Sequence, residues 1–240
     1  MRIVFWGTPE FAAPTLRALL GEGFDVVGVV TQPDKPHGRS REIVPSPVKQ
    51  IAIEEELTLF QPKNAKDPEL YQALSGLKAD ISVVVAYGHI LPMKIIDLPE
   101  MGTLNVHASL LPALRGAAPI QAAIQQGDTE TGVTVMRVVP ALDAGPMILQ
   151  ATVLLIASAF LDEENLTDEP AVGHDLVALL QAAHQLVVLL ALVGLRPNEN
   201  EIEDREDRPI HENGAEDWIA WHLEKIGSMR DQTARGAALR

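Results

Sequence analysis

Residues 104–112 read LNVHASLLP, in which Asn105 and His107 stand two positions apart in an otherwise apolar run that ends in a turn. Alternate residues of a strand share a face, so Asn105 and His107 point one way while Leu104 and Val106 point the other. A second polar island, ALDAG at 141–145, carries Asp143 two residues before Gly145. A carboxylate beside a His favours the imidazolium, and an Asn amide donates to an oxygen that gains negative charge. None of the three is an obvious covalent nucleophile. The set therefore suits acyl transfer to an amine by direct attack, with oxyanion stabilisation and proton shuttling. Ser109 is a rival nucleophile by residue type, but no G-x-S-x-G elbow surrounds it and its other role is to cap the turn. A His and an Asp also suit a metal, yet no third ligand stands at metal spacing, and no metal is expected. The purely structural alternative has His107 capping a nearby carbonyl and Asn105 ordering the turn.

Positioning these groups requires a sheet. Short Val- and Ile-rich runs alternate with helix-like segments, the pattern of an α/β fold in which a Rossmann-like, open, mostly parallel sheet carries helices on both faces. Strands are predicted at 2–6, 25–31, 57–60, 80–86, 103–108, 132–138 and 147–154, and helices at 9–20, 47–56, 67–76, 117–127 and about 172–194. The helix at 47 is the best marked, with Ser46 as N-cap and Pro47 in the first helical position. Asn105 and His107 then fall at the carboxyl end of their strand, where open parallel sheets place ligands. An interior parallel strand is normally apolar on both faces, so the two polar side chains need partners or a ligand.

The 240 residues suffice for one sizeable domain, and without Cys neither disulfides nor thiolate metal sites contribute. The net charge of −14 argues against broad electrostatic attachment to nucleic acid. Acidity is uneven: residues 1–150 hold 12 basic and 16 acidic side chains, whereas 151–240 hold 7 and 17. A polyanion would thus meet the first half, where Lys35, Arg39, Arg41 and Lys49 form the one local cationic cluster. The alternative for that cluster is a solvated loop. Residues 176–195 are long and apolar enough for a membrane span, but Gln181, His184 and Gln185 interrupt them and the flanks are acidic, so no membrane partner is expected. The amino terminus shows no signal-peptide pattern, and a cytoplasmic protein is expected. The first turn, GTPEF, lacks G-x-G-x-x-G, which disfavours a dinucleotide.

Four stretches carry a resemblance: FWGTPEFA at 5–12, VVTQPDKPHGRSREIVPSPVK at 29–49, VVVAYGHILP at 83–92, and LNVHASLLPALRGAAPIQAAI with TGVTVM and LDAG over 104–145. Through them the chain resembles the folate-dependent formyltransferases, and the PDKPxGR and PSPVK elements place the resemblance in the tRNA-directed branch. The resemblance implies 10-formyltetrahydrofolate as cosubstrate and the α-amine of methionyl initiator tRNA as acceptor. By motif position it implies a catalytic trio of Asn105, His107 and Asp143. It implies a folate site formed by backbone of Ala86, Tyr87, Gly88, Ile90, Leu91 and Pro92, with Ser109, Leu110, Leu111, Pro112 and Leu142. Phe11 falls where the family meets the methionine side chain, although a core Phe is equally consistent. Lys35, Arg39 and Arg41 fall where it meets the tRNA acceptor end, while Arg115 and Gly116 shape the floor of the site.

The expected organisation is a catalytic domain over 1–195 and an acidic linker or tail over 196–240, the approach to a C-terminal domain that the chain does not reach. A monomer that holds tRNA weakly is expected. Two other functions remain open on the sequence: a formyltransferase acting on a small amine such as an amino sugar nucleotide, and a non-catalytic folate- or RNA-binding remnant.

Overall fold

The apolar runs of the first half become strands because each is long enough to cross a sheet and is bounded by turn residues. The computed structural model describes residues 1–37 and 42–154. In chain order these form β1 (Arg2–Gly7), a 3₁₀ turn (Glu10–Ala12), α1 (Ala13–Gly21), β2 (Asp25–Val30), β3 (Lys35–His37), β4 (Glu42–Val44) and α2 (Pro47–Glu54). There follow β5 (Leu59–Phe60), α3 (Pro68–Leu77), β6 (Ile81–Val85), α4 (Met93–Ile96), β7 (Thr103–His107), α5 (Pro119–Gln126), β8 (Glu130–Arg137) and β9 (Met147–Leu154).

Seven strands make one sheet in the order β5-β2-β1-β6-β7-β8-β9. The first five run parallel, whereas β8 and β9 are antiparallel additions at one edge. The chain moves outward from β1 to β2 and β5, then returns to lay β6 against the other side of β1. Right-handed crossovers then put α1 and α2 on one face and α3 and α4 on the other. Val4, Trp6 and Val84 of the sheet bury against Leu70, Leu74, Ile95 and Ile96 of α3 and α4. Ile3 and Phe5, fully buried, alternate to the opposite face.

Several elements differ from the sequence expectation for local reasons. The helix expected at 9–20 divides into the 3₁₀ turn and α1, because Pro14 lacks an N–H and belongs in the first turn of an α-helix. The strand expected at 57–60 shortens to two residues. Two elements have no counterpart in the sequence pattern: the one-turn α4, and a hairpin in which β3 and β4 pair antiparallel within what reads as a Pro-rich loop. The helix expected at about 172–194, the apolar stretch at 176–195 and the boundary at 195 lie outside the described residues. Among the described residues no helix is long and apolar enough to cross a membrane.

The hairpin stands on a polar anchor. The Ser46 hydroxyl accepts the Lys49 N–H at 3.2 Å and so caps α2, while it also meets the Thr31 hydroxyl at 3.0 Å. The Lys49 ammonium pairs with Asp34, whose other carboxylate oxygen accepts from Gln61 Nε2 at 2.9 Å. The hydrogen bond from Lys49, then that from Gln61, holds the Asp34 carboxyl below its usual value of 3.8. Folding thus favours the ionised form. Its contribution to stability is complete above that value and is lost as pH falls through the lowered one. The Asp34→Asn variant should therefore melt below the wild type by a wider margin at about pH 6 than at about pH 3. An equal margin in thermal melts at both values would show that the charge contributes nothing.

Candidate active site

The order reversal leaves the carboxyl ends of β1, β6 and β7 side by side, and each is followed by a loop that sequence reasoning singled out. At the end of β7, His107 is buried. Its Nε2 lies 2.9 Å from the Leu114 carbonyl oxygen, an acceptor, so this nitrogen carries a proton and donates it. That bond fixes the ring. It leaves Nδ1 facing Asp143, whose Oδ2 lies 3.8 Å away, with both side chains more than nine-tenths buried. The gap exceeds a direct hydrogen bond, so a small movement of either side chain, or one water beside the pair, would complete it. Asn105 is half-buried and shares the His107 face by strand alternation.

Asp143 reaches this position from the loop between β8 and β9. The Arg137 N–H donates to the Pro146 carbonyl at 3.0 Å and closes the neck of the loop. At Gly145 the backbone lies so close to Arg137 that a Cβ would fall inside contact distance of its carbonyl, so no larger residue fits. At the tip, Asp143 adopts φ 45° and its carboxylate accepts the Gly116 N–H at 2.8 Å. Ala86, Leu114 and Ala118 are also left-handed without being Gly. Four of the six left-handed non-Gly residues among those described thus lie in the loops that follow β6, β7 and β8, as at many functional sites, whereas Glu56 and Lys78 lie just past the ends of α2 and α3.

The 109–112 turn is pinned from β8. Thr134, paired across the ladder with His107, donates to the Ser109 carbonyl at 2.7 Å and accepts the Leu111 N–H at 3.1 Å. Gln150 on β9 adds bonds to Leu111 and to Thr134. The Ser109 hydroxyl itself is buried and donates to the Ala113 carbonyl at 2.7 Å. It is spent on the turn, which removes it as a nucleophile in this arrangement. Sequence reasoning missed the support from Thr134 and Gln150, although Thr134 as a lone inward hydroxyl in the alternating GVTVM run was a usable signal.

An open recess of about 480 Å³ adjoins the pair, lined by Leu111, Pro112, Arg115 and the stretch from Asp143 to Met147. Leu142, well exposed, lies next to it in sequence, while Leu110 is half-buried and lies against β8 at Gly132. The loop at 86–92 lies outside the lining of this recess. Within that loop Tyr87 and Leu91 are buried, Ile90 is 84% exposed, Pro92 is half-buried, and Ala86 and Gly88 are exposed. The Tyr87 ring packs edge-on against Trp6, with 5.2 Å between centroids, and burial raises its phenol pKa. Any ligand contact from Tyr87 therefore falls to its backbone.

The cationic cluster divides. Lys49 is committed to Asp34, so its ammonium is already paired with a carboxylate. Lys35 is exposed on β3, with its ammonium 2.7 Å from Gln32 Oε1. Arg39 and Arg41 lie outside the described residues. Phe11 is half-buried in the 3₁₀ turn. Among the described residues no group of three His, Asp or Glu side chains is placed to hold a metal.

Proteins of known kind are similar to this chain in sequence. A methionyl-tRNA formyltransferase of Methylococcus capsulatus is 61% identical over 148 residues, covering 62% of this chain and 48% of its own length. One from Stutzerimonas stutzeri is 47% identical over 206 residues, covering 85% of this chain and 62% of its own. The chain thus spans about half the length of the first of these relatives and about three-fifths of the second. In fold it matches a phosphoribosylglycinamide formyltransferase from Bacillus halodurans with a TM-score of 0.63, at 22% identity, over 84% of this chain and 98% of that one. The sequence model described as formyl transferase matches residues 1–172, and on that match the chain belongs to the formyl transferase family.

Proposed function

We propose that this chain transfers the formyl group of 10-formyltetrahydrofolate to the α-amine of methionine esterified to initiator tRNA. The observation that carries the reading is the buried His107–Asp143 pair at the end of β7, beside an open recess, in a chain 61% identical to a methionyl-tRNA formyltransferase over 148 residues. The proposed substrates place the reaction in the cytoplasm, where tRNA is charged.

The chemistry follows from what each group can do. The amine nitrogen bonds to the formyl carbon, the bond from that carbon to folate N10 breaks, one proton leaves the amine and one reaches N10. Asn105, on the His107 face, supplies an amide N–H for the oxygen that becomes anionic. His107 keeps Nε2–H on the Leu114 carbonyl, so Nδ1 is the nitrogen that changes protonation. Asp143, held by the Gly116 N–H, stays oriented toward Nδ1, stabilises the imidazolium and orders a proton-carrying water. The turn from Ser109 to Pro112 and the loop at 86–92 offer backbone to the folate, and Phe11, Lys35, Arg39 and Arg41 belong to the acceptor side.

Incubating the full chain with 10-formyltetrahydrofolate and charged initiator tRNA should yield formyl-methionyl tRNA, and none at high enzyme concentration would overturn the reading. His107→Ala and Asn105→Ala should each lower kcat by about 10² to 10³, the usual worth of a general acid–base or an oxyanion donor. Donor KM should change far less, and wild-type turnover in either variant would refute the role assigned to that residue. Ser109→Ala should instead retain turnover while losing about 1 kcal/mol in urea denaturation, the net worth of one hydrogen bond. Abolished turnover in a folded Ser109→Ala protein would return the nucleophilic route.

A further inference from the structure

Gln32 occupies a junction that the chemistry above does not use. Its Nε2 donates to the Tyr87 carbonyl at 2.8 Å, in the loop at 86–92, and its Oε1 accepts from the Lys35 ammonium at 2.7 Å, at the first residue of the hairpin. The backbone of Gln32 is itself fixed. Its N–H points to the Thr8 hydroxyl at 3.3 Å, and its carbonyl accepts from Gln61 Nε2 at 3.0 Å, the same nitrogen that holds Asp34. The loop is shaped to receive the amide. Gly88 has φ 86°, and a Cβ there would come within 2.5 Å of Gln32 Nε2. The glycine thus leaves room for the amide to lie against the peptide that joins residues 87 and 88.

We propose that Gln32 is a positioning residue that couples the hairpin carrying Lys35 to the loop at 86–92, so that an event at Lys35 changes donor affinity. Only a side chain with a donor and an acceptor at one end, of this length, spans both partners. Glu in its place would keep an acceptor for Lys35 but lose the donor to the Tyr87 carbonyl. Asn is one methylene too short. When an acidic group of the acceptor draws the Lys35 ammonium away, Oε1 loses its partner, and the amide shifts its hold on Tyr87. Coupling of this kind is reciprocal, so bound folate also alters the grip on the acceptor. The inference rests on the assignment of folate to the 86–92 side and of Lys35 to the acceptor side.

The test is a double-mutant cycle on folate binding by the full chain, read by calorimetry with 5-formyltetrahydrofolate, in which the formyl group is not transferred. Lys35→Ala should weaken binding about threefold when Gln32 is present, and by less than about 1.5-fold in a Gln32→Ala background. Gln32→Glu is the second background. It should behave like Gln32→Ala, because the donor to Tyr87 is gone. Equal effects of Lys35→Ala in all backgrounds, or none in any while the wild type binds folate, would overturn the coupling and leave the proposed function standing. Absence of folate binding by the wild type would overturn both.

Discussion

The parallel pairing of β1 with β6 is the constraint on which the other features depend. Laying β6 beside β1 after the chain has already travelled outward through β2 and β5 reverses the strand order, and a reversal parts the helices that cover the two faces. Loops that follow β1, β6 and β7 then emerge from neighbouring strand ends at the same edge of the sheet. Residues as distant in sequence as Thr8 and Tyr87 thereby meet, the Thr8 hydroxyl lying 3.3 Å from the Tyr87 carbonyl, which no local interaction could achieve. The hydrophobic layer of Val4, Trp6 and Val84 under α3 and α4 holds that pairing.

On this frame the polar end of β7 is made tolerable by partners instead of by exposure. His107 gives its Nε2 proton to Leu114, Asp143 takes the Gly116 N–H, and Ser109 gives its hydroxyl to Ala113. Each bond replaces water that burial removes. The cost is carried by the backbone, where Asp143 and Leu114 sit in left-handed conformations that their own side chains disfavour. The Gly116 N–H and the neck of the β8–β9 loop hold Asp143 in place, and the bond from His107 holds Leu114. Nδ1 of His107 is thereby left as the nitrogen able to exchange a proton beside an oriented carboxylate.

A second polar region flanks the hairpin, where Lys49 of α2 pairs with Asp34 just before β3, Gln61 bonds the same carboxylate and Ser46 caps α2 just after β4. By charge alone Lys49 belonged with Lys35, Arg39 and Arg41 as a cationic group, and the ion pair removes it from that role. Sequence patterns report charge well and pairing poorly, because a partner such as Asp34 declares itself only when the backbone turns. The same limit hid the hairpin. Lys35–His37 and Glu42–Val44 have neither length nor alternation to mark them as strands.

The sequence by itself determined the main strands and helices other than β3, β4 and α4, the mostly parallel character of the sheet, and the presence of Asn105 and His107 on one face at a strand end. Those features follow from periodicities of two and about 3.6 residues, which are local. It also named Asp143 as a third polar group without saying how near it would come. Only the tertiary structure decided that the β8–β9 loop closes at Arg137 and Pro146, that the Ser109 hydroxyl is spent on a turn, and that Gln32 joins two loops 55 residues apart. The physical reason is the same in each case: a hydrogen bond between distant residues depends on where the packed sheet brings their backbones, and that information is spread over the whole chain.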